Sequence, residues 1–405
     1  MNVPDTATEA PPTLNAGSDL EWWLLQAACS AIHQDNDREK KQSRLHDLLR
    51  RPLNWEALLR LAERHGVAPL LYREVSSLGS EASLAGASLE RYYETNLHRT
   101  LFLTRELIRI LDHLDAQSFD VVPYKGVALA ETLYGDIALR QAGDIDLLIR
   151  PQDPTRIKAA LRELGYTPHD QFSSGEERAY LRSGYECAFD GSLGRNLLEV
   201  QWALQPRFYA VDFEMEALFG RVTTVNVAGR DMNAPAAEDL FLILSLHAAK
   251  HAWERLIWLC DIAQLQKSPS LNWESIGERA KALGIVRILQ VTLVLTNRLL
   301  EAPIPPAAEP NLSPDRAAIM LADEIARGVS RAALPDVESS SYFRLMMRLR
   351  ERRIDRIRFL CRLAFTPGPG EWKSVRLPAP LFPLYRLVRL WRLAARVARA
   401  PTTKS

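Results

Sequence analysis

Two aspartates two residues apart, Asp144 and Asp146, interrupt an apolar run in "DIDLLI". In a strand, residues i and i+2 point the same way. Asp144 and Asp146 therefore project together, while Ile145 and Leu147 face the opposite, buried side. Two carboxylates on one face repel each other and resist burial. A divalent cation offsets that cost, and two carboxylates at this spacing suit one Mg²⁺ or a bridged pair. Magnesium takes carboxylates, waters and substrate phosphates rather than an all-protein cage. A two-metal site activates a hydroxyl and stabilises a leaving pyrophosphate.

Such a site calls for a third acid on a neighbouring strand. Glu199, inside the apolar run "NLLEVQWAL", is the strongest candidate, with Glu186 and Asp190 as alternatives. Upstream, "YKG" ends a strand at a helix start. Gly126 lets a phosphate approach the backbone, and a helix N-terminus favours anions. Lys125 adds a positive charge, and Arg140, four residues before the first aspartate, is a further phosphate candidate. Its structural alternative is an ion pair with Asp136 or Asp144. Gly143, directly before the acid pair, counts with the nucleotide-binding positions.

His247 and His251 fall at i and i+4 on one helical segment, with Lys250 between them. That spacing suits zinc, but no HExxH and no third ligand accompany it. The readings weighed against zinc are a helix packed beside the cleft, and nucleotide or acceptor contact by Lys250 or His251. Asp261 reads as a structural partner of a neighbouring helix, and Trp253 and Trp258 as core residues rather than a base-stacking platform.

The elements that must hold these residues follow from periodicity. Residues 1–19 are polar and Pro/Thr-rich and are expected to be disordered. Residues 20–115 read as helical, from "DLEWWLLQAACSAI" with Asp19 as N-cap to the long amphipathic "ASLERYYETNLHRTLFLTRELIRILDHLDAQ". Residues 116–234 read as a mixed αβ core, residues 235–334 as a second helical domain, and residues 335–405 as a basic helical tail. Within the core, "DPTRIKAALRELGY" is a helix with Asp153 at its start and Gly165 at its end. "YECAFDG" and "NLLEVQWAL" are strands joined at "GSLGR", and "RVTTVNVAGRDMNAP" is a hairpin. The tail is expected to hold a helix over 341–364 and a last helix, "PLYRLVRLWRLAARVAR". The fold class expected is α+β, a small mixed sheet flanked by N- and C-terminal helical regions.

Of 405 residues, 47% are hydrophobic and 25% charged, an ordinary globular composition. Cys29, Cys187, Cys260 and Cys361 form no CxxC, which argues against a zinc ribbon or disulfide scaffold and fits a reducing compartment. No signal peptide or uninterrupted apolar span of membrane length is visible, so the expected location is cytoplasmic. The net charge of +1 hides an asymmetry: from residue 340 onward Lys and Arg greatly outnumber Glu351, Asp355 and Glu371. Arg386, Arg389, Arg392, Arg396 and Arg399 recur every three or four residues opposite Leu and Val. Three readings fit that helix: docking on the acidic body, association with an anionic membrane surface, or nucleic-acid binding, for which no recognised motif appears.

The segment "KGVALAETLYGDIALRQAGDIDLLIRPQD" resembles an uncharacterised nucleotidyltransferase-like family of bacteria, within the DNA polymerase β-type nucleotidyltransferase superfamily. "RHGVAPLLY", "AAEDLFLILSLHAAKHAWERLIWLCDIAQL" and the tail from "TPGPGEW" resemble it too. The resemblance implies Mg²⁺-dependent (or Mn²⁺-dependent) transfer of a nucleoside monophosphate from an NTP such as ATP to an acceptor, with release of pyrophosphate. It implies Asp144, Asp146 and Glu199 as metal ligands, with Glu199 also a base for the acceptor. The acceptor class, whether small molecule, peptide, protein or saccharide, is left open. One departure stands out: the superfamily has Gly-Ser just before its acid pair, where this chain has Lys125–Gly126 and a whole helix before Asp144. That departure sustains a second reading, a non-catalytic nucleotide-binding module that regulates or scaffolds. A DxD glycosyltransferase is the third; it calls for alternating strands and helices ahead of the acids, where the chain reads as helical.

Overall fold

The computed structural model describes residues 19–31, 35–78, 83–170, 172–191, 194, 196–331, 333–334, 339–375 and 377–399. Residues 1–18 of the Pro/Thr-rich start, and three of the five positions of the "GSLGR" turn, lie outside them. Five helices come first: α1 (Asp19–Cys29), α2 (Asp35–Leu49), α3 (Trp55–Arg64), α4 (Ala68–Ser76) and the 34-residue α5 (Ser83–Ala116). The αβ region follows: β1 (Val121–Pro123), α6 (Val127–Tyr134), β2 (Asp144–Ile149), α7 (Pro154–Glu163), β3 (Thr167–Pro168), α8 (Ser174–Ser183), β4 (Glu186–Asp190), β5 (Leu197–Gln201), α9 (Met215–Phe219), β6 (Thr223–Val227) and β7 (Arg230–Ala234). Helices then return: α10 (Ala237–Lys250), α11 (Leu256–Gln266), α12 (Trp273–Leu283), α13 (Val286–Leu300), α14 (Glu309–Leu312) and α15 (Arg316–Arg331). The tail holds α16 (Ser340–Arg348), α17 (Arg353–Phe365), α18 (Pro369–Ser374) and α19 (Tyr385–Arg399).

The main sheet has the order β1-β2-β5-β4-β3, and β6-β7 form a separate hairpin. Strand β2 pairs antiparallel with β1 and parallel with β5, and β4 is antiparallel to β5. The sheet is therefore mixed and the chain is α+β. The period-two alternation of β2 sorts its residues by face. Ile145, Leu147 and Ile149 join Leu198, Val200 and Phe189 in a core shared with α5 (Leu103, Leu107, Ile110, Leu114) and α7 (Ile157, Leu161). On the other face, Val122 and Leu148 pack with Met215, Leu218, Phe219 and Ile243. The acids occupy the remainder of that second face.

The flanking helices are not two independent packages. Leu24, Leu58 and Leu71 from the N-terminal helices share one core with Leu259, Ile276, Leu293, Leu321 and Phe359. That shared core clasps the αβ region from both chain directions.

One tail expectation changes. The single helix expected over 341–364 is broken at residues 349–352 into α16 and α17. The break lets buried Arg350 turn inward and donate from Nη2 to the Tyr209 carbonyl at 2.6 Å. It also lets the Glu351 carboxylate accept the Val286 and Arg287 N–H groups at the start of α13. The last helix sits with its arginine side inward. Arg389 donates to the Leu363 carbonyl at 2.5 Å, and Arg389 and Arg392 both pair with buried Glu371. Its Leu387 and Trp391 face solvent. The side chains of Arg396 and Arg399 lie outside the described residues. All four cysteines are free thiols. Among the described residues, no helix is long and apolar enough to cross a membrane.

Candidate active site

The register of β2 and β5 sets the acids side by side. Asp146 is the direct partner of Glu199, and Asp144 lies one pleat before it on the same face. Glu186 enters from β4, where it partners Gln201, two residues beyond Glu199. Four carboxylates thus line one end of one sheet face, next to the apolar Val122–Leu148 packing.

One cation is already drawn in. Lys125, just past the end of β1, extends Nζ to Asp146 Oδ1 at 2.7 Å, and both side chains are buried. Burial opposes the ammonium charge, but Asp146, with help from the Tyr124 hydroxyl and Glu199, holds Lys125 above its ordinary lysine value. The Tyr124 hydroxyl donates to Gln201 Oε1 at 2.6 Å. That bond turns Gln201 Nε2 toward the acids, where it lies 3.2 Å from both Glu199 and Glu186. The Tyr185 hydroxyl bonds the other oxygen of Glu186 and receives a 2.8 Å bond from Lys250 Nζ.

Burial and mutual repulsion set the charge of the acids. Burial, then the neighbouring Asp146 carboxylate, raises Asp144. Burial, Asp146 and Glu186 push Glu199 up to about 8. Lys250 is lowered by burial, so it is a reluctant cation. His247 is driven well below its usual value by burial and the Lys125 charge, and His251 falls to about 3 through burial and Lys250. Both imidazoles are therefore neutral at pH 7.

The turn that precedes the acids is shaped by a glycine. Gly126, at the N-terminus of α6, has φ +57°, and a Cβ there would lie 3.0 Å from the Asp144 carbonyl. Gly143 accepts a 2.8 Å bond from Arg99 at its carbonyl, which fixes the entry to β2.

Arg140 bonds none of the site acids. It is buried and grips Asp261 of α11, with Nε 3.0 Å from Oδ1 and Nη2 2.8 Å from Oδ2. Tyr134 donates to the same carboxylate at 2.9 Å, and Arg140 Nη1 reaches the Gly126 carbonyl at 3.3 Å. Neither Asp136 nor Asp144 is its partner. Arg140 therefore anchors the glycine turn to α11 rather than presenting a free guanidinium.

The histidine pair is packed rather than assembled around an ion. The His247 and His251 rings lie 4.9 Å apart, and each is within about 5 Å of the Trp258 ring. Trp253 is fully buried and donates to Thr292 at 3.0 Å.

Among the described residues, no three His, Cys, Asp or Glu side chains are arranged as a ready metal cage. The donor set nevertheless fits magnesium, which needs only one or two protein carboxylates beside waters and phosphate oxygens. Asp144 and Asp146 supply those, and burial together with carboxylate neighbours raises Asp144 and Glu199, a cost that a divalent cation would offset.

A cavity of about 380 Å³ opens beside Lys250 and Tyr185. Tyr180, Phe208, Glu371 and Arg389 complete its walls. The tail thus closes a space that adjoins the acid cluster through Tyr185 and Glu186. Gln201, Tyr124 and Tyr185 were not singled out from the sequence. Gln201 alone carried a signal, its place two residues after Glu199 on the same strand face.

Comparison with curated proteins finds no match. A solved structure, that of ANT(2")-Ia in complex with adenylyl-2"-tobramycin, is 17% identical with a TM-score of 0.31. The match covers 45% of this chain and 97% of that one, a likeness too distant to assign any residue. Residues 51–301 match the family described as uncharacterised nucleotidyltransferase, a span that holds the whole sheet, the acid pair, Glu199 and the α10–α11 helices. The chain belongs to this family, and nucleotidyl transfer is the class of chemistry that membership carries.

Proposed function

We propose that the protein transfers a nucleoside monophosphate from an NTP to an acceptor hydroxyl or similar group in a Mg²⁺-dependent reaction that releases pyrophosphate, with Mn²⁺ as a substitute ion. The observation that carries this reading is the Asp146–Glu199 register beside Asp144, with Asp144 and Glu199 both raised by burial and by the neighbouring carboxylates. Asp144 and Asp146 would hold the ion, with Glu199 as the third ligand. When bound, the ion supplies charge neutralisation at the phosphoryl centre and lowers the pKa of an attacking hydroxyl.

The chain's own groups do the rest. Lys125 balances Asp146 in the resting site and lies where it can turn to a phosphate oxygen. Gly126 and the N-terminus of α6 offer backbone N–H groups to the triphosphate. Arg140, through the Gly126 carbonyl, keeps that turn in place, and Gly143 sets the entry to β2. Glu199, held by Gln201, accepts the acceptor's proton once its carboxyl is ionised. Lys250, at the end of α10, and His251, just past it, border the site and would contact nucleotide or acceptor. The cavity beside Tyr185 suits the acceptor, because Tyr185 in its wall bonds Glu186 of the acid cluster, while its walls lie outside the turn that would hold phosphate.

Turnover is tested with each α-³²P-labelled NTP and a pool of candidate acceptors, with Asp144→Ala/Asp146→Ala as control. Label transfer and pyrophosphate release that vanish in the control support the reading. One observation favours a second reading: Lys125 already occupies Asp146 Oδ1, as in a site that binds nucleotide without turnover. Nucleotide binding with no pyrophosphate release across the acceptor pool would establish that alternative.

A further inference from the structure

Large apolar side chains are exposed in one part of the molecule far more than elsewhere. Of fourteen that are exposed among the described residues, ten lie between Ile354 and Trp391. On α19, Leu387, Leu390 and Trp391 share one face by helical spacing, and Trp391 is 70% exposed. The opposite face carries Arg389 and Arg392, both tied to Glu371. On α17, which packs against α19, Ile354 and Ile357 are each more than half exposed, while Phe359 and Leu363 are buried. A helix whose Arg389 and Arg392 face the protein while Leu387, Leu390 and Trp391 face water departs from an ordinary surface helix, which turns its apolar face inward. Scattered exposed leucines need no explanation, but a concentration of this kind marks an interaction surface.

The charges around it identify what it meets. Arg344, Arg348, Arg352, Arg353, Arg358 and Arg386 are exposed in the same segment. Its three acids are all engaged: Asp355 with Arg352, Glu371 with Arg389 and Arg392, and Glu351 with backbone N–H groups of α13. No described acid of residues 340–399 is exposed. An isologous contact with a second copy would set this cationic patch against itself. A contact with another part of a second copy lacks a matching apolar area, because only Trp23, Leu101, Ile319 and Met320 are exposed elsewhere among the described residues. Two acids from elsewhere in the chain, Asp212 and Glu324, reach this segment as the partners of Arg362 and Arg348, and arginine remains in excess around the apolar side chains. Apolar side chains with a tryptophan and an excess of arginine at their rim match an anionic lipid surface.

We propose that α17 and α19 seat the protein on an anionic bilayer surface, with Leu387, Leu390 and Trp391 inserted at the headgroup level and the exposed arginines on the lipid phosphates. The helices lie in the interface and do not cross it. This surface is independent of the transfer reaction, and its test reads binding alone.

The full chain is co-sedimented with phosphatidylglycerol-rich vesicles and with phosphatidylcholine vesicles, at low and high salt. Partition to the anionic vesicles is expected, weakened by salt. Leu387→Asp/Trp391→Asp and, separately, Arg353→Glu/Arg358→Glu are expected to lower the partition coefficient on the order of tenfold. Their melting temperatures should match wild type, because the side chains are exposed. The proposal is overturned if wild type does not partition, or if both variants partition as wild type does. It is also overturned if wild type self-associates in solution and Leu387→Asp/Trp391→Asp abolishes that, which would assign the face to a second copy.

Discussion

Asp146 and Glu199 stand directly opposite each other on parallel neighbouring strands, and Asp146 is the one of the pair that a lysine has reached. The asymmetry divides the acids into a neutralised member and two that strain against their own charge. Asp144→Asn should therefore separate catalysis from stability. Pyrophosphate release is expected to fall by about 10²–10³-fold, while the melting temperature stays level or rises as repulsion is relieved. A parallel fall in both would mean that Asp144 is structural.

Glu199 makes the metal-free protein sensitive to pH. Its folded value, about 8, lies above the ordinary carboxyl value of 4.5. Between those values the folded state holds a proton that the unfolded chain has lost, so stability declines as pH rises from about 4.5 to about 8. Glu199→Gln should flatten that slope and stabilise the protein at pH 8 by on the order of 1–3 kcal/mol. Denaturant titrations at pH 5 and pH 8 measure it; an unchanged slope in Glu199→Gln would count against the assignment. The same protons must leave when Mg²⁺ binds, which calorimetry in buffers of different ionisation enthalpy detects as proton release that shrinks in the variant.

Arg140 and Asp261 form a buried pair joined across 121 positions of sequence. Arg140→Ala leaves a buried carboxylate uncompensated and should cost about 3–5 kcal/mol. A phosphate-binding arginine would behave otherwise, raising the KM for NTP with little change in melting temperature. Measuring both quantities in Arg140→Lys and Arg140→Ala decides between the two roles.

Gly126→Ala places a Cβ 3.0 Å from the Asp144 carbonyl on a backbone with φ +57°. The strain should cost about 1–3 kcal/mol and push the first aspartate out of line. Activity is expected to fall more steeply than stability; unimpaired turnover would show that the turn is not part of the phosphate site.

The acids were legible in the sequence because strand physics is local. "DIDLLI" alternates with period two, so burial of Ile145, Leu147 and Ile149 fixes where Asp144 and Asp146 point. Glu199 could be singled out on the same grounds, one charged residue in an apolar strand. Lys125 and Gly126 stood out as a strand end meeting a helix start. What lay beyond reach were partners set by tertiary packing. Nothing near Arg140 in the chain names Asp261, and nothing near Leu24 says that it will share a core with Leu293. The inward side of α19 was equally hidden. A period of 3.6 separates an arginine face from a leucine face but does not say which one meets the protein, and here Glu371 draws the arginines in. The break between α16 and α17 has no Pro or Gly to announce it; Arg350 and Glu351 find their partners only in the folded chain.

The most direct test of the central claim is an anomalous-scattering map of crystals soaked with Mn²⁺ and a mixture of non-hydrolysable analogues of the four NTPs. A manganese peak is expected between the Asp144 and Asp146 carboxylates, about 2.0–2.3 Å from their oxygens, with triphosphate density against the Gly126 turn. Nucleotide bound without an ion at that place, or an ion bound away from both aspartates, would contradict it.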